Sequence, residues 1–413
     1  MLDRLKERLG SVDAVTAARY LLLAELLFLF VSTSLAVVAE LLLFLVFLVF
    51  PSLRRRVAEL VRQPMIFMAI AWAVVLTLGL LYSIGPGAEN LDIWKSWRKL
   101  LLLPMAAAVF DSEEWKKKFV WTFLCAVAAG LLVSFGSWLL ELPLLKREPV
   151  PGIVIHNHAT QGMLFAAGFF AAVLAWRFLP PRSRLAKGLL LAIIPGVFLN
   201  IVFITTGRSG YLVFLVFSGL LPIFLLRGLP RYLFMLAVPL AIGALLFFSP
   251  AASQRILQGV DEMQNYAQDA KLTSMGIRMM MWKNTVALIK DRPVFGHGTG
   301  GFREAYRLQV EGREGWQYQV VNDPHNQFMR ILAEQGLAGL LVFALFLVAF
   351  FRQGCGVPWS YLGIGVILAW CASSLFSAHF STFVEGRFVW LWCGALLGVT
   401  AGGEKKGGGI SLS

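Results

Sequence analysis

The sequence predicts an all-α, polytopic membrane protein. Three observations predict it: an apolar fraction too high for a water-facing fold, apolar runs that recur at bilayer length, and basic residues gathered in alternate loops. Of the 413 residues, 58% are hydrophobic and 15% charged, and the mean hydropathy is +0.71, beyond what a soluble domain of this length carries. A hydrocarbon core about 30 Å thick needs roughly 20 apolar residues per helix, and such runs recur along nearly the whole chain. Stretches such as Leu41 to Phe50 and Leu337 to Phe351 are apolar on every face. That fits helices, because a spanning strand alternates apolar and polar positions.

About 12 transmembrane helices follow, centred near residues 22, 42, 74, 104, 130, 170, 195, 218, 240, 338, 368 and 394. Val15 to Phe50 reads either as two short helices broken near Ser32 to Ser34 or as one long helix, and the fourth span is short and interrupted by Pro104. Met1 to Arg19 shows mixed charge and no cleavage site before the first apolar run, which is therefore expected to remain as the first span.

The net charge of +13, from 37 Lys and Arg against 24 Asp and Glu, would suggest nucleic acid in a soluble protein. Here its distribution suggests a bilayer and no nucleic-acid partner. Basic residues crowd one set of short loops: Arg4, Lys6 and Arg8; Arg54, Arg55, Arg56 and Arg62; Lys116, Lys117 and Lys118; Arg177, Arg182, Arg184 and Lys187; Arg227 and Arg231; Arg352; Lys405 and Lys406. The opposite loops hold Lys95, Arg98, Lys99, Lys146, Arg147, Arg208 and Arg387. Because basic short loops resist translocation, both termini are expected in the cytoplasm.

The chain then divides into residues 1–248 with spans one to nine, a loop over 249–324, residues 325–402 with spans ten to twelve, and a tail over 403–413 expected to be disordered. The loop, about 75 residues on the side away from the cytoplasm, is long enough to carry function. Helices are expected from about Ala252 to Ala270 and from about Ser274 to Lys290, followed by the glycine-rich stretch Gly296 to Gly301. No Gly-Lys-Ser or Gly-Lys-Thr follows that stretch, so it is not a phosphate-cradling P-loop and nothing predicts ATP hydrolysis. Cys125, Cys355, Cys371 and Cys393 lie in or beside apolar segments without metal-ligand spacing and read as packing residues.

Four of the five histidines, His156, His158, His297 and His325, fall clearly outside the apolar runs, and His379 lies near a span end. His325 stands in Asn322-Asp323-Pro324-His325-Asn326 at the start of the tenth span. Asp323 is expected as N-cap and Pro324 in the first turn, which would set the imidazole over the positive end of a helix dipole and favour its neutral, basic form. His156 and His158 alternate along a short polar stretch with Gln161 and Gly162 nearby, but no carboxylate cluster accompanies them and no metal site is expected.

From His325 the chain runs His-Asn, nine residues, Gly336, two residues, Gly339. This spacing resembles the signature of the O-antigen ligase family and its relatives, the O-antigen polymerases and protein O-oligosaccharyltransferases. The glycines would let a neighbouring helix approach closely; a capped helix with a small-residue packing face would look the same. Arg208, in Thr205-Thr206-Gly207-Arg208-Ser209-Gly210, and Arg278, in Gly276-Ile277-Arg278 four residues before Trp282, extend the likeness, as do Asp291-Arg292-Pro293 and Gly296-His297-Gly298. This order is similar to the large periplasmic loop of that family. An interfacial Arg208 could equally snorkel to the membrane surface, and Arg278 could stack on Trp282.

The resemblance implies a GT-C-like glycosyltransferase of the bacterial inner membrane with a periplasmic active site and no cofactor. It would move a glycan from undecaprenyl diphosphate onto a lipid A-core sugar without metal or ATP and with inversion. Arg208 and Arg278 would hold the diphosphate, since a guanidinium donates two parallel hydrogen bonds to phosphate oxygens, and His325 would act as base. Asn326, Trp282, His156, His158 and His297 would contact substrate, with Pro324, Gly336 and Gly339 as structural motif. A transporter would need intramembrane charges beyond Glu25, Glu40 and Glu334 and an inverted repeat, and none is visible.

Overall fold

A computed structural model describes residues 13–146, 148–205, 207–248, 254, 257, 274–313, 315 and 318–399. Every regular element among them is helical: α1 (Ala14–Val31), α2 (Thr33–Val49), α3 (Pro51–Leu60), α4 (Pro64–Leu81), α5 (Gly87–Ser96), a 3-10 turn (Trp97–Leu101), α6 (Leu102–Val109), α7 (Glu113–Leu139), α8 (His158–Phe178), α9 (Arg184–Phe203), α10 (Arg208–Leu225), α11 (Leu229–Phe248), α12 (Ser274–Asp291), α13 (Phe302–Val310), α14 (Gln327–Ala349), α15 (Trp359–Ser373) and α16 (Phe383–Leu397). The helix expected over 252–270 and the tail over 403–413 lie outside the described residues.

All twelve expected centres fall within helices. By length and composition seven helices can each cross a bilayer, and the pair α2 and α3, bent by 94°, adds an eighth. The count of twelve crossings is therefore not reached on length alone among the described residues, because α6 has 8 residues, α15 and α16 have 15 each, and the apolar part of α11 runs only over Leu229–Ala244. Ser32 decides the ambiguous first pair. Its N–H donates to Phe28 O, and its hydroxyl accepts from Leu35 N, so one residue closes α1 and caps α2.

Helix α16 lies at the centre of the bundle, buried along almost its whole length. Trp390 stacks on Phe346 with centroids 5.3 Å apart, and Trp392 meets Phe123 edge-on at 4.9 Å. In the middle of this apolar layer Arg387, 1% exposed, pairs with Glu40 and lies 3.6 Å from Glu25. The expectation of Arg387 in a loop is thus corrected: two buried carboxylates compensate it inside the bundle. Deleting one member of such a set leaves an unpaired buried charge, at a cost of about 3–5 kcal/mol. Lys99 is also buried rather than in a loop, and its ammonium donates to Ser381 O at 2.5 Å and Thr382 O at 2.7 Å.

Two glycines let α8 and α10 cross backbone to backbone. A Cβ on Gly210 would lie 2.8 Å from the Cα of Gly162, so any side chain would push the helices apart.

Candidate functional site

The tenth expected span begins three residues later than its motif suggests. Asn326, not Asp323, is the N-cap of α14: its side-chain oxygen accepts from Phe328 N at 3.0 Å and Met329 N at 3.1 Å. Asp323 instead folds the preceding corner, accepting from His325 N at 2.6 Å and from Arg330 Nη1 at 2.8 Å. Pro324 lies before the helix, and its carbonyl accepts from Trp282 Nε1 at 2.9 Å. His325 is exposed with φ of 52°, in the left-handed region. A non-glycine residue held there is a strained presentation of the kind that recurs at functional sites.

His156 repeats the device. It has φ of 49° and immediately precedes Asn157, the N-cap of α8, whose side chain accepts from Thr160 N at 2.8 Å. His158 is drawn away by Glu148, which pairs with its Nδ1 and accepts from its backbone N–H at 3.2 Å. Gln161 and Gly162, beside these histidines, are structural. Gln161 is fully buried, its oxygen accepting from Val154 N at 2.8 Å and its amide donating to Gly152 O at 2.9 Å. With Asn200 and Thr205 it closes a buried polar network that shapes the turn before Arg208.

Arg208 is the first residue of α10. The preceding Gly207 packs on the first residues of α8, where a Cβ would lie 2.9 Å from His158 O. The α8 N-terminus is in turn tied to α16, because the Thr160 hydroxyl donates to Glu385. Arg278 and Trp282 lie one turn apart on α12. The charges acting on the buried ring of His379 are Glu385, Arg278, Asp323 and His325. Burial pushes the His379 imidazole below the ordinary histidine range, with Glu385 opposing and Arg278 reinforcing that direction. The Trp282–Pro324 bond ties the helix that bears Arg278 to the corner that bears His325, and Arg208 follows the Gly207 that packs on the start of α8.

The glycine-rich stretch Gly296 to Gly301 packs against α14. Gly336 breaks the helix with φ of 65° and ψ of −166°, freeing carbonyls before it and N–H groups after it. Residues 293–298 supply the partners: His297 N donates to Ala333 O at 2.9 Å and Gly298 N to Glu334 O at 2.8 Å, while Leu337 N donates to Pro293 O at 2.8 Å and Ala338 N to Val294 O at 3.1 Å. A Cβ on Gly336 would collide with the Val294 carbonyl. The expectation that a neighbouring helix approaches here is corrected to a loop; only Gly339 faces a helix, with Val75 of α4 at 3.7 Å from its Cβ position. His297 is 3% exposed, with Nε2 3.1 Å from Leu288 O, and burial holds it below the ordinary histidine range. It sits with Asp291 and Arg292 and braces the loop.

Residues 196–344 match the model of a family described as O-antigen ligase. This segment belongs to the O-antigen ligase family. The matched segment holds Arg208, Arg278, His297, His325, Gly336 and Gly339, and it ends before His379 and Glu385. A stretch of 77 residues is 32% identical to an uncharacterized protein of Haemophilus influenzae (strain ATCC 51907 / DSM 11121 / KW20 / Rd), covering 18% of this chain and 19% of that relative. The chain thus spans about a fifth of the length of the curated relative it matches.

Sequence reasoning passed over His379 and Glu385. The available signal was Glu385 itself, a carboxylate three residues into the last apolar segment, where an ionisable group marks function by default.

Proposed function

We propose that the protein transfers a glycan from a polyprenyl diphosphate, of the undecaprenyl type, to a sugar hydroxyl of lipid A-core, at the outer face of a bacterial inner membrane with both termini cytoplasmic. One observation carries the reading: the family-matched segment contains Arg208, Arg278 and His325, and the helix that bears Arg278 is bonded to the His325 corner through Trp282 and Pro324. The arginines stabilise charge on the departing diphosphate, the largest electrostatic demand of the step. His325 takes the proton of the attacking hydroxyl, and displacement at the anomeric carbon inverts its configuration. The donor's own diphosphate bond drives the transfer, so neither metal nor nucleotide enters.

The test is reconstitution. Purified protein, polyprenyl-diphosphate glycan and rough lipopolysaccharide, with chelator present, should give a laddered product. Products only on a free glycan or on a peptide Ser or Thr would point to the polymerase or protein O-oligosaccharyltransferase branch, and no transfer to any acceptor would overturn the reading.

A further inference from the structure

Helices α7, α8 and α9 are each long and apolar enough to cross a bilayer. Where α7 begins, α8 ends and α9 begins, they enclose a cavity of about 570 Å³. Trp121 and Phe178 wall it on one side, both half-buried and packed on the apolar core, and Leu179, Pro180 and Pro181 continue that apolar surface. Lys117 and Arg182 supply its cations. Beside it Trp176 of α8 and Leu185 and Leu191 of α9 are exposed, so the cavity has an apolar, lipid-facing flank as well as a basic rim.

The charges at this rim do not balance within the protein. Glu113 and Glu114 are engaged along α7 by Lys117 at 3.5 Å and Lys118 at 2.8 Å, exposed pairs of a kind that holds weakly. Arg182, Arg184 and Lys187 are exposed, and among the described residues none of them has a carboxylate partner. Arg184 opens α9 and Lys187 follows three residues on, in a helix with no acidic residue in its first turn, whereas α7 opens on Glu113 and Glu114. The start of a helix is the positive end of its dipole and favours anions. Cations gathered there leave a place for negative charge supplied from outside. The bias of basic residues toward untranslocated loops explains their presence at this end of the bundle, but not their convergence on a walled cavity.

We propose that this cavity binds the head group of an anionic phospholipid of the surrounding bilayer. Lys117 and Arg182 hold the phosphate beside the start of α9, the glycerol lies against Trp121 and Phe178, and the acyl chains run along the exposed apolar faces of α8 and α9. Inorganic phosphate would use the cations and leave the apolar wall bare, so a lipid fits both halves of the site. The bound lipid ties the start of α7 to the α8–α9 connection. The proposal is independent of the glycan-transfer reading.

The experiment melts the full-length protein, stripped of lipid in a nonionic detergent, alone and with phosphatidylglycerol, phosphatidylcholine or glycerol phosphate. Saturating phosphatidylglycerol should raise the melting temperature by about 2–4 °C more than phosphatidylcholine does, and the excess should shrink in about 0.5 M salt. Arg182→Gln and Lys117→Gln should each lose most of that excess, whereas Arg55→Gln, which removes an exposed cation of α3 outside the cavity, should keep it. The proposal is overturned if the two phospholipids act alike, if glycerol phosphate matches phosphatidylglycerol, or if the excess survives Arg182→Gln. It is equally overturned if the excess falls as far in Arg55→Gln, the mark of general surface charge. Arg182 makes no bond that the fold needs, so without lipid Arg182→Gln should melt with the wild type and the comparison stays interpretable.

Discussion

The indole of Trp282 donates to the carbonyl of Pro324 at 2.9 Å, fastening helix α12, and with it Arg278, to the corner that presents His325. Trp282→Phe keeps the ring that meets Phe376 with centroids 6.1 Å apart but removes the donor. Stability should fall by about 1 kcal/mol. Transfer should fall by roughly tenfold, because small displacements between binding and reacting groups are costly. Thermal unfolding in detergent and initial transfer rates test both numbers; an unchanged rate would show that the bond does not position the corner.

Arg208→Ala and Arg278→Ala should each reduce transfer by roughly a hundredfold or more while leaving the protein folded, since under the proposed function each would remove a charge-assisted phosphate contact. Lysine at either position should recover only part of the loss, lacking the planar fork. Donor titration alongside the rate assay separates binding from turnover. Near-normal transfer by both alanine variants would remove the arginines from the mechanism.

Gly336→Ala should destabilise the protein by about 1–3 kcal/mol, the range for a non-glycine residue forced into an unfavourable backbone region. Its methyl would also strike the Val294 carbonyl. Loop 293–298 should detach from the break in α14 first, so limited chymotrypsin cleavage after Phe295, already exposed, should accelerate before the melting temperature has fallen far. Equal cleavage rates in variant and wild type would contradict the stapled-helix description.

His297 supplies a pH dependence of stability. Burial lowers its folded value below that of the unfolded chain, so its contribution is fully present above the ordinary histidine value, about 6.5, and is lost as pH falls through the folded value. The melting temperature should therefore drop on acidification below about pH 6.5, and His297→Gln should flatten part of that slope. An identical slope in the variant would place the effect elsewhere.

Transfer should continue in excess chelator and without nucleotide, because the proposed charge stabilisation comes from guanidinium groups. A requirement for magnesium or manganese that returns on re-addition would refute this, and His156 with Glu148 and His158 would be the first residues to examine.

The sequence by itself determined the helical, membrane-spanning class. Backbone polar groups in hydrocarbon have no water to bond, so long apolar runs dictate internally bonded helices whatever their partners. It also marked Arg208, Arg278 and His325, through the likeness of their motifs to those of the O-antigen ligase family. What it could not decide were relations between segments distant in the chain. Asp323 and Asn326 are both competent caps, and only the corner's closure on Arg330 and Trp282 gives the cap to Asn326. Gly336 reads as helix packing until residues 293–298 arrive to satisfy the groups its break exposes. Arg387, Lys99, His379 and Glu385 sit where local composition suggests a loop or a span end, and tertiary packing buries them. A buried charge or imidazole is tolerable only beside its compensating partner, and here those partners are as distant in the chain as Glu25, Glu40 and Thr160.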